Sequence, residues 1–498
     1  MGKKDKKKKK GFGVEKTTAK TDKKLIAKQK KLLQKLGEDD IENIVSSFQT
    51  SNALETAELL CAPPSSRTNF SICSFDDIIY IFGGEFFNGN KTDVFGNFFT
   101  FNTIKNEWKQ INASPTPTPR SGHQMIVSAQ NGGEFYLFGG EFASPSQLQY
   151  LHFRDLWRFQ LKTKKWEKLN APNGPSARSG HRMVLTKKRI ILFGGFHDNN
   201  NSYQYFNDVY CFSLESYNWT KLETSGIAPS PRSGVIMGAT EDGKVIITGG
   251  YTKTSAKSDA ERGITHNDSF MLQEVDGGKW KWSNIKPGGR RPAPRSAVAC
   301  TSGYGGRIYT FGGVMDTEED DENLRGQFSN EIHFLDTSGG GLVWRKVEIK
   351  PRKSEQPQKS SNEEVMEVTP IKTTTDGVFT VTVGGAAPSK QTSVEQHDYI
   401  DVGGPSPRMN AGIVLVRHNL YVFGGSYEQG NRLFTLCDFY SLDINKTEAW
   451  RTHIGNLPSL TWFGSDSEDS SSNESEEDES DDEEDEGSAD SDEMETDK

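Results

Sequence analysis

No stretch of this 498-residue sequence approaches the roughly 18 consecutive apolar residues of a membrane span. Its start, Met1-Gly2-Lys3-Lys4, runs into lysines where a secretion signal would have an apolar core. A chain lacking both is expected to be neither membrane-bound nor secreted. Cysteine is scarce: Cys61, Cys73, Cys211, Cys300 and Cys437 are scattered and form no C-x-x-C. That predicts free thiols in a reducing compartment, not a disulfide framework or a metal site. Apolar residues make up only 33% of the chain, below the share usual in globular proteins, so some of it is expected to lie outside any core. Catalytic signatures are missing too. No histidine pair has metal-ligand spacing, and no glycine-rich loop leads from a strand into a helix to cradle a phosphate. No catalytic residue, metal or other cofactor is therefore expected.

Each end of the chain is nearly devoid of one sign of charge. Residues 1–37 hold 15 lysines against three acids, and residues 465–498 hold 19 acids against one lysine. The formal net charge of −10 is thus the sum of a basic arm, a near-neutral body and an acidic arm.

The body contains a repeat. A short apolar run ending in Gly-Gly occurs six times, at Gly83-Gly84, Gly139-Gly140, Gly194-Gly195, Gly249-Gly250, Gly312-Gly313 and Gly424-Gly425. An arginine precedes the first glycine of each pair by 16 to 19 residues: Arg67, Arg120, Arg178, Arg232, Arg295 and Arg408. A tryptophan follows the second by 24 to 32: Trp108, Trp166, Trp219, Trp282, Trp344 and Trp450. Three markers in one order, six times over, resemble the kelch repeat, in which each copy is one four-stranded blade. The resemblance implies an all-β fold, a six-bladed kelch β-propeller with disordered basic N-terminal and acidic C-terminal tails. The expected organisation is a basic, partly helical tail (1–55), a propeller (56–460) and an acidic tail rich in Ser, Asp and Glu (461–498). Repeats run over about 67–108, 120–166, 178–219, 232–282, 295–344 and 408–450. A largely disordered insertion (346–403) separates blades five and six, with a hairpin expected where two β-rich runs flank Asp376-Gly377. In this frame the glycines allow close backbone approach, and each tryptophan fills the widening wedge between blades. Either Ala57–Cys61 or the segment after Trp450 could close the ring; the spacing does not decide.

Antiparallel order places the second-to-third loops, the blade connections, the insertion and the roots of both tails on one face. These loops differ from each other and combine aromatics with polar groups, as recognition surfaces do. The candidate protein-binding residues are Arg67, Glu85, Phe87, Arg120, Glu141, Phe142, Arg178, Phe196, His197, Arg232, Tyr251, Arg295, Arg408 and Tyr427. For the arginines two readings are open. They can bond backbone carbonyls between blades, or form a cationic ring at the channel mouth; the resemblance implies the second can suit an acidic ligand. His123 and His181, each three residues after a repeat arginine, read as blade parts. Leu433-Phe434-Thr435-Leu436-Cys437 imitates an elongin-binding motif, but its continuation aligns with a blade's third strand.

In the tails, Leu25 to Phe48 has helical periodicity around Gly37. The Lys3–Lys10 cluster suits a nuclear or nucleolar address or a weak RNA phosphate contact. The acidic arm suits basic partners such as ribosomal proteins or histones. Ser465, Ser471, Ser475 and Ser480 each have an acid three residues on and are candidate phosphorylation sites. Together these features point to a monomeric, non-enzymatic interaction scaffold binding a protein or peptide in the nucleus, nucleolus or cytoplasm. The alternatives are a substrate receptor of a cullin-type ubiquitin ligase and, third, a propeller enzyme.

Overall fold

The computed structural model describes residues 33, 37–50, 57–198, 203–255, 261–320, 323–339, 341–350, 403–430 and 432–455. The expected hairpin around Asp376-Gly377, most of the insertion, the Lys3–Lys10 cluster and the four candidate phosphoserines lie outside these residues. Among them, no helix is long and apolar enough to cross a membrane.

Six sheets succeed one another along the chain, each built on four antiparallel strands from one contiguous stretch, and three of them carry a fifth strand. Their second strands are the most apolar segments: Ile78–Phe82, Glu134–Phe138, Arg189–Phe193, Val245–Thr248, Arg307–Phe311 and Asn419–Phe423. Each is paired on both sides and nearly all its residues are buried, which explains why these runs are continuously hydrophobic rather than alternating. The first strands touch each other in turn around an axis, and Gly412–Val416 of the sixth sheet touches Ser71–Phe75 of the first. The fold is a closed six-bladed β-propeller.

The repeat markers hold blade to blade. Both glycines of every pair have positive φ. At Gly83 a Cβ would stand 2.5 Å from the carbonyl of Arg120, the next blade's repeat arginine, so no larger residue fits. Gly84 then donates its N–H to that carbonyl, and the same bond recurs at Gly140–Arg178, Gly195–Arg232, Gly313–Arg408 and, across the closure, Gly425–Arg67. Each tryptophan packs on the preceding blade: Trp166 on Phe82, Trp219 on Phe138, Trp282 on Phe193 and Trp450 on Phe311. Trp344 enters the cluster of Ile236 and Ile246. Trp108 closes the sequence by packing on Phe423.

Ring closure resolves as follows. Arg451–Ile454 pairs with Phe439–Asp443 inside its own blade, whereas Ala57–Leu60 pairs with Glu107–Asn112 as a fifth, outermost strand of the first blade. Among the described residues no strand is exchanged across the seam; packing and the Gly425–Arg67 bond close it. Short linker strands cover two other outer edges in parallel pairing, Thr224–Ser225 on Lys279–Ile285 and Gly288–Gly289 on Val343–Lys346, leaving less unpaired edge exposed.

A helix, α1 (Ile41–Thr50), precedes the propeller. Asp40 caps it: its carboxylate accepts from the N–H of Glu42, and its carbonyl from Ile44.

Candidate functional site at the loop face

Every second-to-third loop folds into its own two-stranded hairpin: Glu85–Phe87 with Thr92–Val94, Glu141–Ala143 with Tyr150–His152, Phe196–Asp198 with Tyr203–Tyr205, Tyr251–Ser255 with Glu261–Thr265, Val314–Asp320 with Asn323–Phe328, and Ser426–Gln429 with Arg432–Thr435. The residue after each repeat arginine bridges to the residue after the same blade's Gly-Gly, as in Thr68 with Glu85 and Ser121 with Glu141. Hairpins and repeat arginines therefore share one face, as antiparallel order requires. Arg432–Thr435 is a hairpin strand, and Phe439–Asp443 beyond it is a blade's third strand, so the elongin-like pattern is blade.

The arginines do not form a cationic ring. Arg67, Arg120, Arg178, Arg232 and Arg408 are at most 1% exposed. Each donates Nη1–H to the carbonyl of its blade's first Gly-Gly residue and Nε–H to the carbonyl two residues before itself. Four are also clasped bidentately by a carboxylate: Arg120 by Asp155, Arg178 by Asp208, Arg232 by Asp268 and Arg408 by Asp438. Arg67 has no such partner, because Asn97 occupies the equivalent position and offers its carbonyl to Gly83. Its guanidinium lies 4.4 Å from the ring centre of Phe95, and burial pulls its pKa down to about 9. Arg295 is half-buried and bonded to Ser329 and Glu331. Of the two readings open for the arginines, carbonyl bonding is the one that Arg67, Arg120, Arg178, Arg232 and Arg408 adopt, their donors holding the Gly-Gly turns in place of meeting a ligand; Arg295 makes no bond to its Gly-Gly turn among the described residues.

Of the remaining candidates, three reach the channel and the others are held in or beside the hairpins. Glu141, Phe196 and Tyr251 line the axial channel, a cavity of about 380 Å³. Glu85 accepts from Asn69 Nδ2 at 2.6 Å and from Ser121 Oγ at 2.9 Å. Glu141 accepts from Ser179 Oγ at 3.1 Å. Burial raises the pKa of both, and the nearby Glu85 carboxylate adds to the push on Glu141, which reaches about 8. His152 stacks 4.5 Å from His197, and its Nε2 accepts the N–H of Asp198. Burial and then His197 lower its pKa to about 4, so it is neutral. His197 bonds the Ala177 carbonyl and Tyr427 stacks on Phe434, both within the local loops.

Phe142 is buried by α1, which lies across the second hairpin. Phe48 packs on Phe142 at 5.8 Å, the Ile41 N–H donates to Gln149 Oε1, and Glu38 accepts from the N–H and Oγ of Ser146. Phe87 lines a smaller cavity with Glu85, Glu141, Tyr150 and Thr435. Sequence reasoning passed over Asn69, Ser121, Ser179 and Thr435 as site residues. The first three follow a repeat arginine by one or two positions, a signal that could have found them; Thr435 carried none.

His123 and His181 are fully enclosed, edge-on to Phe82 and Phe138, and burial depresses both pKa values, that of His123 to about 3. They are blade parts. Among the described residues, no group of three or more His, Cys, Asp or Glu is placed to hold a metal ion.

Comparison with known proteins agrees with this architecture. A family model described as the FBX42 beta-propeller domain matches residues 67–263. Kelch domain-containing protein 3 of Bos taurus is 26% identical over 288 residues, 55% of this chain and 69% of that protein. The N-(sulfonatooxy)prop-2-enimidothioate sulfolyase of Thlaspi arvense is 26% identical over 261 residues, 49% of this chain and 72% of that protein. A flagellar outer-arm dynein alpha chain of Chlamydomonas reinhardtii is 33% identical over 196 residues, 38% of this chain but only 4% of the dynein. The family-model match falls within the repeats, and these similarities support a place among the kelch-type propellers.

Proposed function

We propose that this kelch-type propeller is a non-enzymatic interaction scaffold that binds a protein or peptide at its loop face. One observation carries the reading. The position after Gly-Gly has the same backbone role in all six blades yet holds Glu85, Glu141, Phe196, Tyr251, Val314 and Ser426. A constant frame with varied side chains around one mouth, all but Ser426 partly exposed, is how a rigid scaffold presents a recognition surface. The similarity to kelch domain-containing protein 3 supports a protein ligand, while the sulfolyase shows that the comparisons include an enzyme. Over most of its length the chain also resembles kelch domain-containing protein 4, through Phe82-Gly83-Gly84-Glu85-Phe86-Phe87-Asn88-Gly89 and Phe138-Gly139-Gly140-Glu141-Phe142-Ala143-Ser144-Pro145. The lysine cluster supports a nuclear or nucleolar location as part of the same proposal.

The test is affinity capture with the full chain, its Phe196→Ala/Tyr251→Ala variant and, as a control on the opposite face, Ile104→Ser/Tyr304→Ser. Ile104 and Tyr304 are exposed in turns away from the mouth. The loop-face variant is expected to lose specific partners with an unchanged melting temperature. Loss only with the control pair would refute the assignment of the face, and identical partners for all three proteins would sink the reading.

A further inference from the structure

We infer that the cavity between the first, second and sixth hairpins is a binding site for a cationic side chain, the ammonium or guanidinium of a lysine or arginine in a basic segment. This deepens the loop-face reading and rests on it. The cavity, about 200 Å³ in volume, adjoins the channel mouth. Glu85 and Glu141 stand on one side, Phe87 and Tyr150 contribute aromatic surface, and Leu433 and Thr435 come from the sixth hairpin. No lysine, arginine or histidine is among the described residues lining it. The repeat arginines beneath are committed to aspartates and backbone carbonyls, so they do not neutralise the pair.

Two unused acceptors are present. Thr435 is 1% exposed, yet its hydroxyl has no hydrogen-bond partner among the described residues, a costly state for a buried polar atom. Glu141 bonds through Oε2 to Ser179 and keeps 18% of its side-chain surface open, while Oε1 has no hydrogen bond among the described residues. Two recessed carboxylates beside each other repel when both are ionised. A bound cation relieves that repulsion, satisfies the free lone pairs and sits against aromatic faces, which attract cations. Tyr150 is held neutral by burial and by Glu141, Glu85 and Asp198, so it adds aromatic surface without charge.

Cation binding is therefore linked to proton release. The groups facing Glu141 are Glu85 from the first hairpin, Tyr150 and His152 from its own, Asp198 from the third, and Ser179. His152 is neutral above about pH 4. With the Glu141 pKa raised to about 8, affinity for a cation rises as pH climbs through that value. Lysine ammonium groups keep their charge there, since their pKa is about 10.4.

The cation has two available sources: a partner's basic segment, or this chain's own Lys3–Lys10. The test is calorimetric titration of the full chain with hexalysine peptide at low salt, between pH 6 and 9. It is repeated on Glu85→Gln/Glu141→Gln, on Thr435→Val, and on a variant with Lys3, Lys4 and Lys6 to Lys10 changed to Gln. The acidic arm also attracts hexalysine in every protein, so the readout is one site lost and a pH dependence abolished, not total binding. The double Gln variant is expected to lose one site, with affinity there at least about ten-fold weaker, and Thr435→Val to weaken it less. If the chain's own lysines occupy the pocket, neutralising them tightens hexalysine binding; if a partner supplies the cation, it leaves the site unchanged. Equal stoichiometry and pH dependence in wild type and the double Gln variant would overturn the inference, provided both melt alike. That failure would leave the broader reading standing if Phe196→Ala/Tyr251→Ala still loses partners. A double Gln variant that does not fold passes the decision to Thr435→Val: no change in affinity there refutes the pocket.

Discussion

The six repeat arginines show how one residue type can be structural by virtue of its surroundings. A buried guanidinium is stable only when its donors are used and its charge is met. Arg408 and Asp438 satisfy this most completely, both being at most 1% exposed. Arg67 satisfies only the first condition, because Asn97 stands where five other blades have an acid. Asn97→Asp is accordingly expected to raise stability by about 1–3 kcal/mol, the worth of a charge-assisted hydrogen bond. Asp438→Ala is expected to lower it by about 3–5 kcal/mol through an unpaired buried charge. Urea denaturation checks both, and an Asn97→Asp protein no more stable than wild type would disprove the account of Arg67. The arginines were legible from their spacing; their partners were not. The acids lie 14 to 19 residues beyond the first glycine, because hairpins of different length intervene.

At the scale of elements, the hairpins and α1 decide what the face offers. Periodicity pointed to helix before residue 48, and α1 is there, but its docking on the second hairpin rests on individual contacts that pattern does not encode. Phe48 against Phe142 and Glu38 against Ser146 are pairings of residues roughly a hundred positions apart. Phe142, read from sequence as a contact residue, is therefore covered by the chain itself. Phe48→Ala is expected to release α1 locally, since an apolar contact is lost while the blades keep their pairing. Hydrogen exchange would show at least about ten-fold faster exchange in residues 43–48, with the strands unchanged. Loss of protection throughout the propeller would instead mean that α1 is integral to the ring.

For the whole molecule, closure without strand exchange makes the seam between the last and first blades depend on packing: Trp108 and Phe101 on Phe423 and Phe439. The buried histidines give the ring a characteristic acid response. Burial lowers the pKa of His123 to about 3 and of His152, His333 and His453 to about 4, with His181 also depressed. Each has an ordinary value near 6.5 when unfolded. The unfolded chain thus binds more protons, so this stability is complete above about pH 6.5 and is lost as pH falls toward the folded values. Glu141 acts oppositely, losing stability as pH rises from about 4.5 through 8. Stability is expected to be greatest near pH 6.5, and a urea midpoint that stays flat between pH 7 and 5 would contradict the burial of these rings.

The sequence by itself determined the fold, because glycine, arginine and tryptophan recur for local reasons: a turn only glycine can make, a guanidinium that holds it, a ring that fills a wedge. It also determined which residues follow the glycines, and so named Glu85 and Glu141. Only the tertiary structure decided the sign of the accessible charge. Paired with aspartates and carbonyls, the arginines leave the surface, while two glutamates from neighbouring blades are brought together with a threonine roughly 300 to 350 positions away. Charge on a residue is written in the sequence, but whether it is spent inside or offered outside depends on which partners the closed ring places beside it.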